Sequence, residues 1–147
     1  MNRIAKYTAG LALLALAMVA WALPARAEEP ALGHKLYQIG ETRLPSYVPL
    51  LVAYLDNPDA HVRRIAAHAL GKIASQEAVP ALNSLLSTGA QPNHVKRAAA
   101  AALGKIGSPA SLDCLLETAN CDCRPLQEAA MQALRRIVAK SQRELAG

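Results

Sequence analysis

The stretch VRRIAAHALGKI, residues 62–73, returns as VKRAAAAALGKI at residues 95–106, 33 residues further along the chain. A looser copy, LQEAAMQALRRI, follows at residues 126–137, after an offset of 31. Each copy is preceded by a second apolar segment: VPLLVAYL from Val48, VPALNSLL from Val79 and LDCLLETA from Leu112. Self-similarity at a period of about 20–50 residues indicates a repeat array. The sequence therefore predicts three stacked units.

Each unit is expected to consist of two helices. The apolar side chains of the first copy share one helical face, at the spacing i, i+3, i+4 and i+7: Val62, Ile65, Ala66, Ala69, Leu70 and Ile73. Turn residues separate the helices, with Asn57-Pro58-Asp59 inside the first unit and Gly107-Ser108-Pro109 between the second and third units. No convincing stretch alternates with a period of two. The pattern predicts an all-α fold, an α-solenoid of about three helix pairs.

The spacing also sets the expected boundaries. A repeat domain covers residues 44–147, and its units lie at about residues 44–74, 75–107 and 108–140. Upstream, residues 28–43 contain Leu36 and Ile39 at the same spacing as Leu70 and Ile73. We expect this segment to form an N-terminal capping half-repeat, because a terminal helix pair otherwise exposes its apolar face.

Residues 1–27 have the pattern of a signal peptide. Arg3 and Lys6 precede an apolar run from Ala9 to Leu23, and Ala25-Arg26-Ala27 fits a signal peptidase site. The run of about 15 residues is shorter than the roughly 20 that span a bilayer, which favours cleavage over a retained membrane anchor. We expect a periplasmic or secreted protein with no stable membrane anchor after cleavage.

Composition and motifs exclude several function classes. Loss of the leader lowers the formal charge from +5 to about +2, which is too small to drive phosphate binding, so nucleic acid is a poor partner. The mature chain has three Tyr and no Phe on which bases could stack. It contains no GxSxG, HExxH, CxxCH or Gly-rich phosphate loop. The sequence predicts a protein that is not an enzyme and carries no cofactor.

The segments LDNPDAHVRRIAAHALGKI and EAVPALNSLL resemble HEAT repeats, specifically the short phycobilisome-lyase-type HEAT-like repeats. The resemblance covers about residues 44–139, and Arg135 stands where units one and two carry the Gly of ALG. It implies a right-handed stack whose second helices line a concave surface. Family members often bond an Asp before the second helix to an Arg just inside it, and Asn57 and Arg63 lie near those positions here.

The implied concave surface is the candidate site. Small residues opposite the helix core predict a floor open to an approaching helix or extended segment: Ala67, Gly71, Ala100, Ala101 and Gly104. Lys72, Lys105 and Arg136 form a basic row along one flank, although such charges also fit an ordinary solvated helix face. The candidate partner-binding residues are Arg64, His68, Lys72, Arg97, Lys105, Met131, Gln132, Arg135 and Arg136. We expect an exported scaffold or adaptor that binds another protein.

Three cysteines leave three interpretations open. A disulfide from Cys114 to Cys121 or Cys123 suits an exported protein and leaves one thiol. All three thiols could instead be unpaired. Alternatively, His94, Cys121 and Cys123 could converge on a soft metal such as Cu(I) or Zn, which would indicate a metal-handling or redox protein. The resemblance offers a further alternative, an accessory subunit of a lyase-like enzyme.

Overall fold

The computed structural model describes residues 29–147, with side chains from residue 32 onward, so the predicted signal peptide lies outside the described residues. Within this range every regular element is helical: α1 (Glu29–Thr42), α2 (Val48–Ala53), α3 (Ala60–Ile73), α4 (Val79–Ser87), α5 (Asn93–Ile106), α6 (Leu112–Ala119) and α7 (Arg124–Ala146). Residues Gly33–Gly147 form one compact unit. No helix of the described range is long and apolar enough to cross a membrane. The predicted all-α repeat fold is confirmed.

The helices form two layers. The first helices, α2, α4 and α6, each begin with a short 3-10 turn, at Pro45–Tyr47, Gln76–Ala78 and Pro109–Ser111. Each first helix packs on the second helix of its own unit, and the second helices stack in order, α3 on α5 and α5 on α7. The last helix continues to Ala146, past the expected end of unit three near residue 140, because no Gly or Pro interrupts it.

Local chemistry fixes where the second helices start and stop. Asp59 is the N-cap of α3, and its carboxylate accepts a hydrogen bond of 2.8 Å from the backbone N–H of His61. Arg63 ties down the same turn, because its Nη1 donates to the main-chain oxygens of Asn57 at 2.6 Å and Pro58 at 2.9 Å. The chain leaves α5 through Gly107, whose φ of +71° is a left-handed conformation that favours glycine.

The core lies where the periodicity places it. Leu70 and Leu103, equivalent residues of units one and two, are fully buried. Burial of such a side chain stabilises the fold by about 1.5–3 kcal/mol. Their counterpart Leu134 in unit three is half-buried. Each inner unit is covered on both sides, and α7 has no further second helix beyond it in the described chain.

Three glycines set the distance between stacked helices. A Cβ built on Gly40, Gly71 or Gly104 would lie 2.7–2.8 Å from the Cα of Ala69, Ala102 or Ala133, respectively. Real Cβ atoms do not approach backbone so closely, so the neighbouring helix fits only against glycine. The stacked helices therefore pack closely, and interaxial distances of about 8–10 Å are usual for such packing.

This contact corrects the predicted groove floor. Ala67 and Ala100 are fully buried, and Gly71 and Gly104 are buried with them. These small residues face the next helix of the stack, so they cannot form a surface open to a partner. Ala101 of the predicted floor remains half-exposed.

Candidate functional site: a basic groove across the second helices

A groove of about 500 Å³ runs across four consecutive helices, α1, α3, α5 and α7. Its lining is Tyr37, Arg64, Ile65, His68, His94, Arg97, Ala98, Ala101, Ala129 and Gln132. Ile65, Ala98 and Ala129 occupy the same position in successive units and form an apolar strip across the floor. No carboxylate belongs to this lining in the part of the chain that the structure describes. The centre of the groove is thus lined by apolar and mostly small side chains, and cationic side chains lie around it.

One margin of the groove, which we call the arginine margin, consists of Arg64 and Arg97. Arg64 donates from Nη2 to Nδ1 of His61 at 3.1 Å, and both arginines are exposed. The equivalent residue of unit three is Glu128, which pairs with Arg124 at 3.3 Å. The arginine margin is therefore basic along units one and two and becomes a neutral ion pair at unit three.

On the other side of His68 lies the basic row, which consists of Lys72, Lys105 and Arg136 and does not itself line the groove. The charges of Lys72 and Lys105 are close enough to lower the pKa of His68, so the basic row forms the opposite margin. Lys72 pairs with Glu41 of α1 and lies 4.0 Å from the ring centroid of Tyr37. Its hydrogen bond with Glu41 raises the pKa of Lys72, and the same bond lowers the pKa of Glu41. Burial lowers the pKa of Lys105, and the charges of Lys72 and Arg136 lower it further. Lys105 is thus close enough to Lys72 and to Arg136 to be repelled by both.

His68 lies between the two margins. Its ring stacks on Tyr37, with centroids 6.4 Å apart and planes inclined by 6°. Burial lowers the pKa of His68, and the nearby charges of Lys105, Lys72 and Arg64 add to this effect. The imidazole is consequently neutral at neutral pH and serves as a polar patch in the groove.

The two helical layers differ in charge. The second helices α3, α5 and α7 carry eleven Lys and Arg residues and two Glu residues. The first helices with their adjoining turns carry no Lys or Arg and four acids: Asp56, Glu77, Asp113 and Glu117. The small net charge of the described residues conceals this segregation, because the opposite charges of the two layers cancel in the sum.

The structure divides the predicted partner-binding residues into three places. Arg64, His68, Arg97 and Gln132 line the groove, and Lys72 lies beside it on the basic row. Lys105 and Arg136 also line a second recess with Lys140 and Arg143 near the end of α7. Met131 and Arg135 lie on the outer side of α7, beside a shallow depression that Arg97 and Gln132 also border.

Sequence reasoning missed several groove residues. Tyr37 comes from α1, and Ile65 belongs to the face that the periodicity assigns to the core. The alignment of Gly40 with Gly71, both of which meet an Ala of the next helix, would have identified Tyr37 as the counterpart of His68. The predicted register aligned Leu36 with Leu70 instead, which is about one helical turn out.

The cysteines do not form the predicted disulfide: Cys114, Cys121 and Cys123 are all free thiols. Cys114 lies in the first turn of α6, where its sulfur is 3.3 Å from Ser87 Oγ on α4. About 7.5 Å of helix rise separates it from Ala119, beyond which the other two cysteines lie. A disulfide requires roughly 4.4–6.8 Å between α-carbons, and Cys114 lies at the opposite end of α6 from the turn that contains Cys121 and Cys123.

The predicted metal ligands are also apart. His94 lines the groove, whereas the sulfur of Cys123 accepts a hydrogen bond from Asn93 at 3.2 Å. The Cys121 sulfur is 3.6 Å from the main-chain oxygen of Cys123 in its own turn. Among residues 29–147, no three His, Cys, Asp or Glu side chains are grouped so that they could hold a metal ion.

Comparison with known proteins agrees with the helical stack. A family model for HEAT repeats matches residues 17–93 and 48–135. No curated protein matches the chain. Among the similar solved structures are two of which the chain spans less than half. Human deoxyhypusine hydroxylase in complex with glycerol has a TM-score of 0.63 at 21% identity, over 78% of this chain and 47% of that one. The complex of CpcE and CpcF of phycocyanin lyase from Nostoc sp. PCC7120 has a TM-score of 0.61 at 28% identity, over 69% and 42%.

Proposed function

This chain belongs to the HEAT repeat family, and from that premise we propose that it is an exported scaffold or adaptor that binds another protein in the groove across its second helices. One observation carries the proposal: an apolar strip of Ile65, Ala98 and Ala129 is open to solvent between the arginine margin and the basic row. Repeat scaffolds host many functions, so the site rather than the fold supports this one.

The composition of the groove suits protein recognition. Tyr and Arg are enriched among the residues that dominate interface energies, and Tyr37, Arg64 and Arg97 all border the groove. Alanines on the floor leave room for side chains of a partner to approach the helix backbone. The lining has two arginines and no carboxylate in the described chain, which supports binding to a partner surface of the opposite charge.

A double charge reversal tests this proposal. Purified Arg64→Glu/Arg97→Glu protein should keep its helical circular dichroism and lose the partner that wild type captures by crosslinking in the native periplasm. The matched control is Lys35→Glu/Arg43→Glu, because it changes the charge equally at two exposed residues outside the groove. Capture of the same identified partner by the folded groove variant would overturn the proposal.

Export is a separate part of the proposal and rests on the leader pattern of residues 1–27. Mass spectrometry of the protein recovered from the periplasm should find Glu28 at the N-terminus. A protein that remains in the cytoplasm with residue 1 intact would refute export and leave the groove proposal to its own test.

A second candidate function is that of an accessory subunit of an enzyme. Similarity to the CpcE and CpcF complex of phycocyanin lyase favours it, since the matching stack belongs to a complex of two chains. In that case the captured partner should be another subunit, and the two should co-elute as a defined complex on size exclusion. Enzyme activity should require both chains. Full activity of the partner alone would exclude this function.

A further inference from the structure

We propose that the occupant of the groove is an acidic, extended segment of a partner protein, which crosses the second helices and places its carboxylates between the arginine margin and the basic row. This inference rests on the proposed function and specifies the chemistry of the partner. Charge complementarity carries it, together with the dimensions of the groove.

The two margins are a fixed distance apart. Arg64 and Lys72 lie eight positions apart on the same helix, as do Arg97 and Lys105. A rise of 1.5 Å per residue separates the members of each pair by about 12 Å along the helix. That width admits one peptide chain. Its acidic side chains can reach cations on both sides while its small residues contact the apolar strip.

Most of these cations have no carboxylate partner of their own. Two ion pairs occur in the described chain, Lys72 with Glu41 and Arg124 with Glu128. Arg64 and Arg97 thus line the groove, and Lys105 lies beside it, without an ion pair in the described chain. Repulsion from Lys72 and Arg136 contributes to the lowered pKa of Lys105. A bound anion would relieve this repulsion, and like-charged groups held together without a counter-charge are typical of sites that attract one.

The repeat spacing favours an extended segment over a helical one. Stacked helices with glycine contacts are about 8–10 Å apart. Three residues of polyproline II conformation rise about 9.3 Å, with every third side chain on the same face. A carboxylate at every third residue would therefore meet the cations of each unit in turn. A helical segment would need about six residues for the same distance, at 1.5 Å each, and would repeat less regularly.

A nucleic acid fits the groove less well. Single-stranded nucleic acids bind on aromatic side chains, and the groove lining has one aromatic ring besides its histidines, Tyr37, which is already stacked on His68. The apolar strip of its floor, Ile65, Ala98 and Ala129, has no aromatic ring on which a base could stack. An oligonucleotide is nevertheless a useful competitor in the test, because it shares the negative charge and lacks the small apolar side chains.

The test uses labelled synthetic peptides and fluorescence anisotropy on the mature protein. A repeating Glu-Pro-Ala peptide should bind, because it has a carboxylate at every third residue of a polyproline II chain. The Gln-Pro-Ala peptide should bind at least about tenfold more weakly, and the Lys-Pro-Ala peptide should not bind. A peptide of the same composition with its glutamates clustered at one end should be weaker than the regular repeat. Raising the salt from about 50 to about 500 mM should weaken binding, because the Debye length shortens.

Single variants locate the binding. Arg97→Glu should lower the affinity for the Glu-Pro-Ala peptide by at least about tenfold. Lys35→Glu makes the same charge change outside the groove and should leave this affinity nearly unchanged. Equal loss in both variants, equal affinity for the Gln-Pro-Ala peptide, or stronger binding of an oligothymidylate would overturn the inference. The proposed function is judged separately by capture of the native partner. If capture depends on Arg64 and Arg97 but the acidic peptide does not compete with it, the groove is the site and only the acidic occupant is refuted.

Discussion

The inner helices of the stack and its last helix share a core face but differ on the side that looks toward the end of the array. Where α3 and α5 carry Gly71 and Gly104, each in contact with an Ala of the next helix, α7 carries Arg135. The buried Ala100 of α5 corresponds to Met131 of α7, which is 43% exposed. Small side chains thus mark an interface between helices, and large ones mark a surface.

This difference explains why unit three resembles the other two only loosely. A helix could not approach Arg135 and Met131 as closely as α7 approaches Gly104, because side chains fill the space that the backbone would need. The departures from the repeat at these positions therefore suit a face that no further helix of the described chain covers. The core positions of the same helix, such as Ile137, keep the repeat and remain buried.

The largest expected effect is at the centre of the inner interface. Leu103→Ala removes a fully buried side chain that is covered from both sides, and we expect it to lower the free energy of unfolding by about 2–5 kcal/mol. Leu134→Ala is the matched change in the half-buried residue of unit three and should cost about 1–2 kcal/mol. Urea denaturation followed by circular dichroism measures both. Equal losses would mean that the inner and last helices are covered alike.

The next largest effect on stability compares Gly104 of α5 with Arg135, its counterpart in α7. Gly104→Ala places a Cβ 2.7 Å from the Cα of Ala133, so the helices must move apart, at a cost of about 1–3 kcal/mol. Arg135→Ala at the equivalent position of α7 should change the stability by no more than about 0.5 kcal/mol, because the residue is exposed. Alanine is the better helix former, so a stabilised Gly104→Ala protein would show that the close contact does not exist.

The sequence was sufficient for the parts of the fold that depend on one helix. Periodicity identifies Val62 and Leu70 as core, and the Asp59 cap places the start of α3. The sequence of one helix does not tell whether Gly71 faces solvent or another helix, because both environments accept a small residue on the side away from the main core. That information lies in the contact with Ala102, 31 residues further on.

The same limit applies to the candidate site and the cysteines. Helical spacing predicts Arg64 and Arg97 as groove residues, because they lie opposite the helix core. The same spacing assigns Ile65 to the core, although this apolar residue lines the groove. The predicted disulfide failed because the end of a first helix cannot be read from an apolar run. With α6 beginning at Leu112, Cys114 falls at the wrong end of the helix to meet the following turn.

A smaller effect is expected from the hydrogen bonds of Arg63. Besides Asn57 and Pro58, its guanidinium donates to Gln91 Oε1 at 3.0 Å and so links unit one to the loop of unit two. Arg63→Ala should lower the unfolding free energy by about 1–2 kcal/mol, since hydrogen bonds from a charged donor are lost in a half-buried turn. Lys96→Ala, the counterpart in unit two, should have less effect. A thermal melt that shows the larger loss for Lys96→Ala would contradict this comparison.

The smallest effect depends on pH and distinguishes unit one from the other two, because the position of His68 is Ala101 in unit two and Gln132 in unit three. Burial lowers the pKa of His68, as do Lys105, Lys72 and Arg64, whereas Glu41 acts in the opposite direction. The unfolded chain therefore binds the proton more tightly than the folded one. The stabilisation is complete above about pH 6.5, the ordinary pKa of histidine, and is lost as the pH falls through the lower folded value. The variant His68→Gln carries the residue that unit three has at this position. Its melting temperature should fall less than that of wild type between pH 7.5 and pH 5.5. Parallel pH profiles for the two proteins would show that His68 is as well solvated in the folded chain as in the unfolded one.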